Sequence, residues 1–404
     1  MLLSLSLIFL VGLSLAAIGE KLRLPRIVGM IGAGILLGPY VLDLLDPQIL
    51  GISAELRKMA LIIILIKAGL SLDLSDLKKV GRPAVLMSFV PASAEILGYV
   101  LFAPLLLGVS RSEAAVMGAV LAAVSPAVVV PRMLRLMEEG RGTEKGIPQL
   151  IMAGASCDDI FVIVLFAAFV GMAQGGNTRL LDLLDIPISI VLGIAAGAAC
   201  GLILVLFFTQ AHAHGHPIRS SKTLVILGVS FLLVTAETWI EPWVAMSGLL
   251  AVIGMACVIK SKSADGAAKR LSENFGKLWI AAEVLLFVLL GAAVDIRYTL
   301  GAGITAVGMI VIALAFRAVG VAVCLIGTPL NAKERLFCII AYLPKATVQA
   351  AIGSVPLAMG LPCGSIVLSV AVLGILLTAP LGAAGIDLFA DRLLCGAEQT
   401  PSGK

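Results

Sequence analysis

The chain has 404 residues, of which 60% are hydrophobic and 13% are charged, and its mean hydropathy is +1.10. This composition excludes a soluble globular protein. Apolar runs recur along the whole length, so we predict an all-α polytopic membrane protein. The formal net charge of +4 says little about partners, and no basic run with interleaved aromatic residues points to nucleic acid. None of the seven cysteines forms a CxxC pair, which argues against a zinc site or a disulfide framework.

Thirteen membrane spans are predicted from hydropathy and length. Their approximate bounds are 2–18, 27–43, 58–72, 83–107, 113–134, 148–173, 186–209, 222–237, 243–259, 277–294, 299–327, 333–358 and 364–390. Of the 29 lysines and arginines, 21 lie in the C-terminal tail or in, or within three residues of, the loops after odd-numbered spans. Five lie in or beside the other loops, and three (Lys67, Arg317 and Lys345) lie inside spans. Because basic residues favour the cytoplasmic side, we expect the N-terminus outside and the C-terminus in the cytoplasm.

Spans 5 and 12 carry helix breakers at mid-depth. Span 5 reads Ser-Pro-Ala-Val-Val-Val-Pro at 125–131, and span 12 reads Leu-Pro-Lys-Ala-Thr-Val-Gln at 343–349. Proline removes a backbone donor, and a broken helix persists in a membrane only where protein or a water-filled cavity satisfies the freed groups. The two spans cross in opposite directions because they are an odd number apart. This arrangement predicts inverted-topology repeats with two crossed discontinuous helices around a site.

Span 6 carries two adjacent carboxylates, Asp158 and Asp159, in an otherwise almost entirely apolar run from Pro148 to Met172. Asp158 lies about ten residues into this run, roughly 15 Å deep and near the midplane. A charged side chain there costs roughly 2.5–3.5 kcal/mol on insertion scales, so two together indicate a function. Adjacent helical residues point about 100° apart, so one aspartate can face an ion cavity while the other faces a neighbouring helix.

Further polar residues are predicted at the same depth. Glu95 in span 4 and Arg317 in span 11 are candidates for a compensating ion pair, because each alone would be costly. Lys345 lies where the halves of span 12 meet, so we expect its charge to offset the partial negative charge of a carbonyl end. A direct role in transport is the alternative. The break regions also contain Thr347, Pro126, Pro344 and the hydroxyl of Ser125.

The chemistry of this layer suits a monovalent cation and a proton. Na⁺ and Li⁺ are hard cations that prefer oxygen ligands, which Asp158, Asp159, Ser125 and carbonyls freed at the breaks could supply. A buried carboxylate can carry either a metal ion or a proton, and the two compete. A site that must lose a proton to bind a cation is an exchanger, provided that it faces the two sides of the membrane in turn. Apart from these transported ions, no cofactor is expected.

A histidine cluster, His212, His214 and His216, falls in a predicted cytoplasmic loop. Such a cluster can bind metal or sense pH. A polar loop without a further role is the simpler interpretation.

The two break motifs and the Asp-Asp pair resemble the cation–proton antiporter superfamily. The motifs are those at 125–131 and 344–353, the second reading Pro-Lys-Ala-Thr-Val-Gln-Ala-Ala-Ile-Gly. Within that superfamily the sequence is most similar to the branch that contains the animal mitochondrial and plasma-membrane sodium–proton antiporters and their bacterial relatives. The resemblance spans the whole transmembrane region.

This resemblance implies a homodimer that works by elevator-like alternating access. We expect the protein in a lipid bilayer, the cytoplasmic (inner) membrane of a bacterium. It implies a core ion-translocation domain at about 58–173 and 299–390, and a dimerisation domain at about 1–50 and 186–294.

The resemblance also implies roles for individual residues. Asp159 is expected to be the main carboxylate for Na⁺ and protons, with Asp158 assisting, and Glu95 and Arg317 fall where the branch carries a Glu–Arg pair. Many bacterial electrogenic members have a lysine at the position of Arg317. Because arginine does not deprotonate, the sequence leaves open whether one or two protons are exchanged per cation.

Three other functions compete with sodium–proton exchange. A potassium–proton antiporter or potassium-efflux protein of the same superfamily is the nearest, although such proteins usually append a cytoplasmic nucleotide-binding domain, and we expect none after span 13. A channel needs a continuous pore, whereas crossed broken helices favour an occluded site. An intramembrane aspartyl protease takes its two aspartates from different helices, whereas Asp158 and Asp159 are adjacent, so we predict no enzymatic activity.

Overall fold

The computed structural model describes residues 1–22, 24–71, 81–174, 182–213, 221–240, 243, 246–263, 265–295 and 303–394. Within these ranges every regular element is an α-helix. In chain order the helices are α1 (Leu2–Lys21), α2 (Arg26–Leu37), α3 (Pro47–Gly51), α4 (Ser53–Ser71), α5 (Arg82–Met87), α6 (Val90–Leu107), α7 (Arg111–Ala122), α8 (Pro126–Glu138), α9 (Ile147–Gln174), α10 (Asp182–Ala213), α11 (Lys222–Ile240), α12 (Gly248–Lys262), α13 (Asp265–Ala292), α14 (Gly303–Cys324), α15 (Ala332–Ala341), α16 (Thr347–Ile352), α17 (Val355–Ala358) and α18 (Gly364–Leu393).

Many of these helices are long and apolar enough to cross a membrane. Within the described ranges there are nine such spans of at least 18 residues, some of them made of two consecutive helices. Large apolar side chains lie exposed on the outer surface, for example Leu105 in α6, Ile203 in α10 and Ile304 in α14. A surface of this kind is suited to lipid rather than water, so the chain is an integral membrane protein of the all-α class.

Four of the thirteen predicted spans correspond to shorter, more polar or interrupted helices. α2 has 12 residues and α12 has 15, α4 carries four charged residues, and span 12 is divided between α15 and α16. The total of thirteen therefore stays a prediction.

Two helices are interrupted where the proline motifs predict breaks. α7 ends at Ala122 and α8 begins at Pro126, whereas α15 ends at Ala341 and α16 begins at Thr347. A residue before proline avoids the helical conformation, and proline fits the first turn of a helix, where its missing amide hydrogen is not needed. Ser125 is accordingly extended, with φ −91° and ψ 108°.

Helix–helix contacts divide the bundle into two groups. The broken-helix group, α5–α9 and α14–α18, is joined by packing of α6 on α7 and α14, of α9 on α7 and of α18 on α15. The unbroken group, α1, α2, α4 and α10–α13, is joined by packing of α13 on α2 and α4 and of α12 on α4 and α10. The groups meet where α16 contacts α4 and α13 and where α9 contacts α12.

Glycines bring two helices of the unbroken group into backbone contact. Gly193, Gly197 and Gly201 recur every four residues on the side of α10 that faces α12. A Cβ atom at Gly197 would lie 2.0 Å from the carbonyl oxygen of Ala251. This close approach through small residues is typical of membrane helices, and it gives the unbroken group a tightly packed interior.

Candidate ion-binding site

The two helix breaks touch each other. The backbone amide of Ser125 donates to the carbonyl oxygen of Pro344 over 2.8 Å. Gly382 of α18 makes room for the second break, because a Cβ atom there would lie 2.3 Å from Cγ of Pro344. The two proline motifs, far apart in the sequence, therefore form one buried centre.

Arg317 of α14 lies within this centre and is fully buried. Its Nε donates to the carbonyl oxygen of Tyr342 over 2.5 Å, and its Nη1 donates to the carbonyl oxygen of Ala122. These carbonyls stand at the C-terminal ends of α15 and α7, which carry partial negative charge. One guanidinium therefore caps both broken helices.

The same guanidinium pairs with two carboxylates. Nη1 of Arg317 lies 2.9 Å from Oε2 of Glu95, and Nη2 lies 2.9 Å from Oδ2 of Asp158. Lys345 adds a second cation, since its Nζ lies 2.5 Å from the same Glu95 oxygen. We call Glu95, Asp158, Arg317 and Lys345 the ion-pair cluster. Each of the four is at most 1% exposed, and their formal charges sum to zero, so burial of each charge is offset by an opposite partner.

The surroundings of Lys345 differ from the sequence expectation that it offsets a carbonyl end. Its ammonium contacts Glu95, and Arg317 caps the carbonyl ends of the broken helices. The backbone amide of Lys345 donates to Oγ1 of Thr378 over 2.9 Å, which ties the second break to α18. The charge of Lys345 thus balances a carboxylate.

Asp158 and Asp159 have different surroundings. Oδ2 of Asp158 accepts from the backbone amide of Val124 over 2.8 Å as well as from Arg317, so this side chain belongs to the first break. Asp159 instead lines a cavity of about 20 Å³, which has room for about one water molecule. Of the two adjacent carboxylates, Asp158 is therefore held in an ion pair, whereas Asp159 faces a space that a small ligand can fill.

The cavity beside Asp159 lies between the two helix groups. Helices α9 and α16 supply one side of it, and α4 and α12 supply the other. Thr347, at the start of α16, is its other polar side chain, and the remaining lining is aliphatic: Leu61, Ile64, Leu65, Ala68, Ile160, Ile163, Ile253, Val348 and Ala351. A hydrated ion would have to lose water to occupy so small and apolar a space.

Three buried oxygen atoms of this centre have no hydrogen-bond partner among the residues described. They are Oγ of Ser125, Oδ1 of Asp158 and Oδ1 of Asp159. Leaving a buried polar atom without a partner costs about 1–3 kcal/mol, so such atoms suit a ligand that binds there. Oxygen is the ligand that hard cations prefer, and a carboxylate can also take a proton.

The other residues singled out in the sequence have these positions. Pro126 begins α8. His212 lies in the last turn of α10 rather than in a loop, whereas its side chain and the residues His214 and His216 lie outside the described part of the chain.

Two buried residues that support the breaks were not assigned a role from the sequence. Thr378 accepts from the amide of Lys345 and donates to the carbonyl oxygen of Gly374 over 2.7 Å. Gln349 joins α16 to the end of α7 through its side-chain amide. The four-residue spacing of Gly374, Thr378 and Gly382 was a signal for one small, polar face on α18. Gln349 gave no signal beyond its place in the second motif.

Known proteins have sequences similar to this chain. The sequence model of the family described as "Sodium/hydrogen exchanger, transmembrane" matches residues 5–389. Sodium/hydrogen exchanger 9B2 of Homo sapiens is 36% identical over 385 residues, which cover 92% of this chain and 70% of that protein. Sodium/hydrogen exchanger 9B1 of Mus musculus is 30% identical over 392 residues, which cover 93% and 67%.

A solved structure shares the fold. The sodium proton antiporter MjNhaP1 from Methanocaldococcus jannaschii at pH 8 superposes with a TM-score of 0.80 and 22% identity, over 96% of this chain and 97% of that chain. At this level of identity the likeness concerns the fold alone.

Proposed function

The chain belongs to the sodium/hydrogen exchanger family, and we propose that it is a secondary active antiporter that exchanges Na⁺ or Li⁺ for H⁺. The family consists of transporters rather than enzymes. The names of the family and of the relatives refer to sodium, which does not favour the potassium–proton alternative.

The observation that carries the proposal is the contrast between Asp159 and the ion-pair cluster. Glu95 and Asp158 each contact the buried guanidinium of Arg317. Oδ1 of Asp159, in contrast, has no partner within the described residues, and its side chain lines a cavity. A carboxylate in such a place needs a positive ligand, and the cavity admits only a small one. We assign Asp159 as the group that holds either H⁺ or Na⁺, with Asp158 and Ser125 supplying further oxygen atoms.

Alternating access would follow from movement of the broken-helix group against the unbroken group. The support for this step is that the cavity beside Asp159 is shared between them, so that sliding at this contact opens it to one side or the other. The predicted core domain begins at about residue 58 and thus includes α4. Because α4 packs on α12 and α13, we now propose that it belongs to the unbroken group, which would correspond to the dimerisation domain.

Assembly and placement in the membrane are further parts of the proposal. The resemblance to the antiporter superfamily supports a homodimer, and we propose the cytoplasmic membrane of a bacterium as its location. The asymmetry of lysine and arginine between loops supports an external N-terminus and a cytoplasmic C-terminus.

The test is transport by purified protein in proteoliposomes that contain a pH-sensitive dye. We expect Na⁺ and Li⁺, but not K⁺, to drive proton movement in the opposite direction, and we expect Asp159→Asn to abolish it while the protein stays folded. Asp43→Asn is the matched control, because Asp43 is an exposed aspartate in the turn after α2. Wild-type exchange by Asp159→Asn would remove Asp159 from its role, and equal exchange with K⁺ would favour the potassium alternative.

A further inference from the structure

Gln349 bridges the two breaks through three hydrogen bonds. It lies in the first turn of α16 and is 0% exposed. Its Oε1 accepts from the backbone amide of Ala346 over 2.7 Å, and its Nε2 donates to the carbonyl oxygens of Leu121 and Ala123 over 3.3 and 2.8 Å. Because an amide hydrogen only donates and these carbonyls only accept, the partners fix the orientation of the side-chain amide.

Together with Arg317, Gln349 occupies the carbonyl groups that the first break releases. Leu121 and Ala123 are bonded to Gln349, and Ala122 between them is bonded to Arg317. Three consecutive carbonyl oxygens at the end of α7 thus accept hydrogen bonds from side chains. Immediately after them, the amide of Val124 is bonded to Asp158.

We propose that Gln349 is a positioning residue that sets the cation selectivity of the site. By binding the carbonyls of Leu121 and Ala123, it holds them away from an incoming ion and leaves side-chain oxygens of Ser125, Asp158 and Asp159 as the protein ligands. Few ligands in a small, rigid site favour a small cation, whereas extra, mobile carbonyl oxygens favour a larger one. This inference rests on the proposed exchange of cations for protons.

The test compares Gln349→Met, which keeps the length of the side chain without its amide, with Gln349→Asn, which keeps the amide on a shorter stem. In proteoliposomes we expect both changes to raise the KM for Na⁺ about tenfold, with kcat changed much less, and to narrow the discrimination between Na⁺ and K⁺. Ser230→Ala is the matched control, because it removes a buried hydrogen bond to Ile226 within α11, away from the breaks.

Thermal unfolding in detergent, with Na⁺ or with choline, separates positioning from a purely structural role. A bound cation raises Tm according to its affinity. We expect the rise caused by Na⁺ to shrink in both Gln349 variants and to persist in Ser230→Ala. The proposal would be overturned if the Gln349 variants have a lower Tm but an unchanged KM, an unchanged selectivity and an unchanged rise in Tm with Na⁺. If Gln349→Met fails to fold, wild-type behaviour of Gln349→Asn would also overturn it. Absence of exchange in the wild type would instead refute the proposed function.

Discussion

The backbone amide of Ser125 donates to the carbonyl oxygen of Pro344, so each helix break satisfies a group that the other has freed. Inside a membrane an interrupted helix persists only where protein or a water-filled cavity satisfies the backbone groups that the break has freed. The breaks are therefore mutually dependent. We therefore expect both breaks to move as one unit, together with the side chains of Arg317 and Gln349 that join them.

Replacement of Arg317 by alanine should destabilise the protein more than it changes ion selectivity. The substitution leaves Asp158 without its positively charged partner and removes the hydrogen-bond donor from the carbonyl oxygens of Ala122 and Tyr342. Breaking a buried ion pair by removing one partner costs about 3–5 kcal/mol. Thermal unfolding in detergent measures the effect, and Arg135→Ala, a substitution in an exposed ion pair with Glu139, is the control. An unchanged Tm for Arg317→Ala would contradict the assigned role.

Replacement of Thr378 by valine should loosen the second break. The shape of the side chain is nearly preserved, but the amide of Lys345 loses its acceptor and remains buried. A buried donor without a partner costs about 1–3 kcal/mol, so we expect a lower free energy of unfolding. Thr378→Ser keeps the hydroxyl and serves as the control in the same unfolding measurement. Equal stability of the valine variant and the wild type would show that this hydrogen bond does not hold the break.

Replacement of Gly197 by valine should separate α10 from α12. The first side-chain atom would lie 2.0 Å from the carbonyl oxygen of Ala251, so the helices must move apart. Overpacking of a close-packed interior costs about 1–3 kcal/mol, and occasionally more. We expect Gly197→Val to lower the free energy of unfolding by an amount at the upper end of this range, because the clash is with backbone. Gly228→Ala in α11 is the control, because a Cβ atom there meets nothing within 4 Å. If both variants unfold at the wild-type Tm, backbone contact does not hold these helices together.

The sequence was informative about features that follow from local chemistry. Proline motifs predicted both breaks, because proline cannot continue a helix whatever its surroundings. The cost of buried charge led to the pairing of Glu95 with Arg317, which lie 2.9 Å apart. The sequence was less informative about which residues, far apart in the chain, contact each other in the fold. Arg317 and Asp158 are 159 residues apart, and no local pattern indicates that one guanidinium serves two carboxylates and two helix ends.

Exchange should be electroneutral, with one proton per cation. The formal charges of the ion-pair cluster sum to zero, and Lys345 is held 2.5 Å from Glu95. If only Asp159 changes its occupant, the site carries the same net charge with H⁺ as with Na⁺. If Lys345 also released a proton when Na⁺ binds, the net charge of the Na⁺-bound site would differ by one from that of the H⁺-bound site. We therefore expect the exchange rate in proteoliposomes to be independent of a membrane potential set by a potassium gradient and valinomycin. A rate that rises with the potential, or a measured ratio of two protons per Na⁺, would show that Lys345 also exchanges its proton.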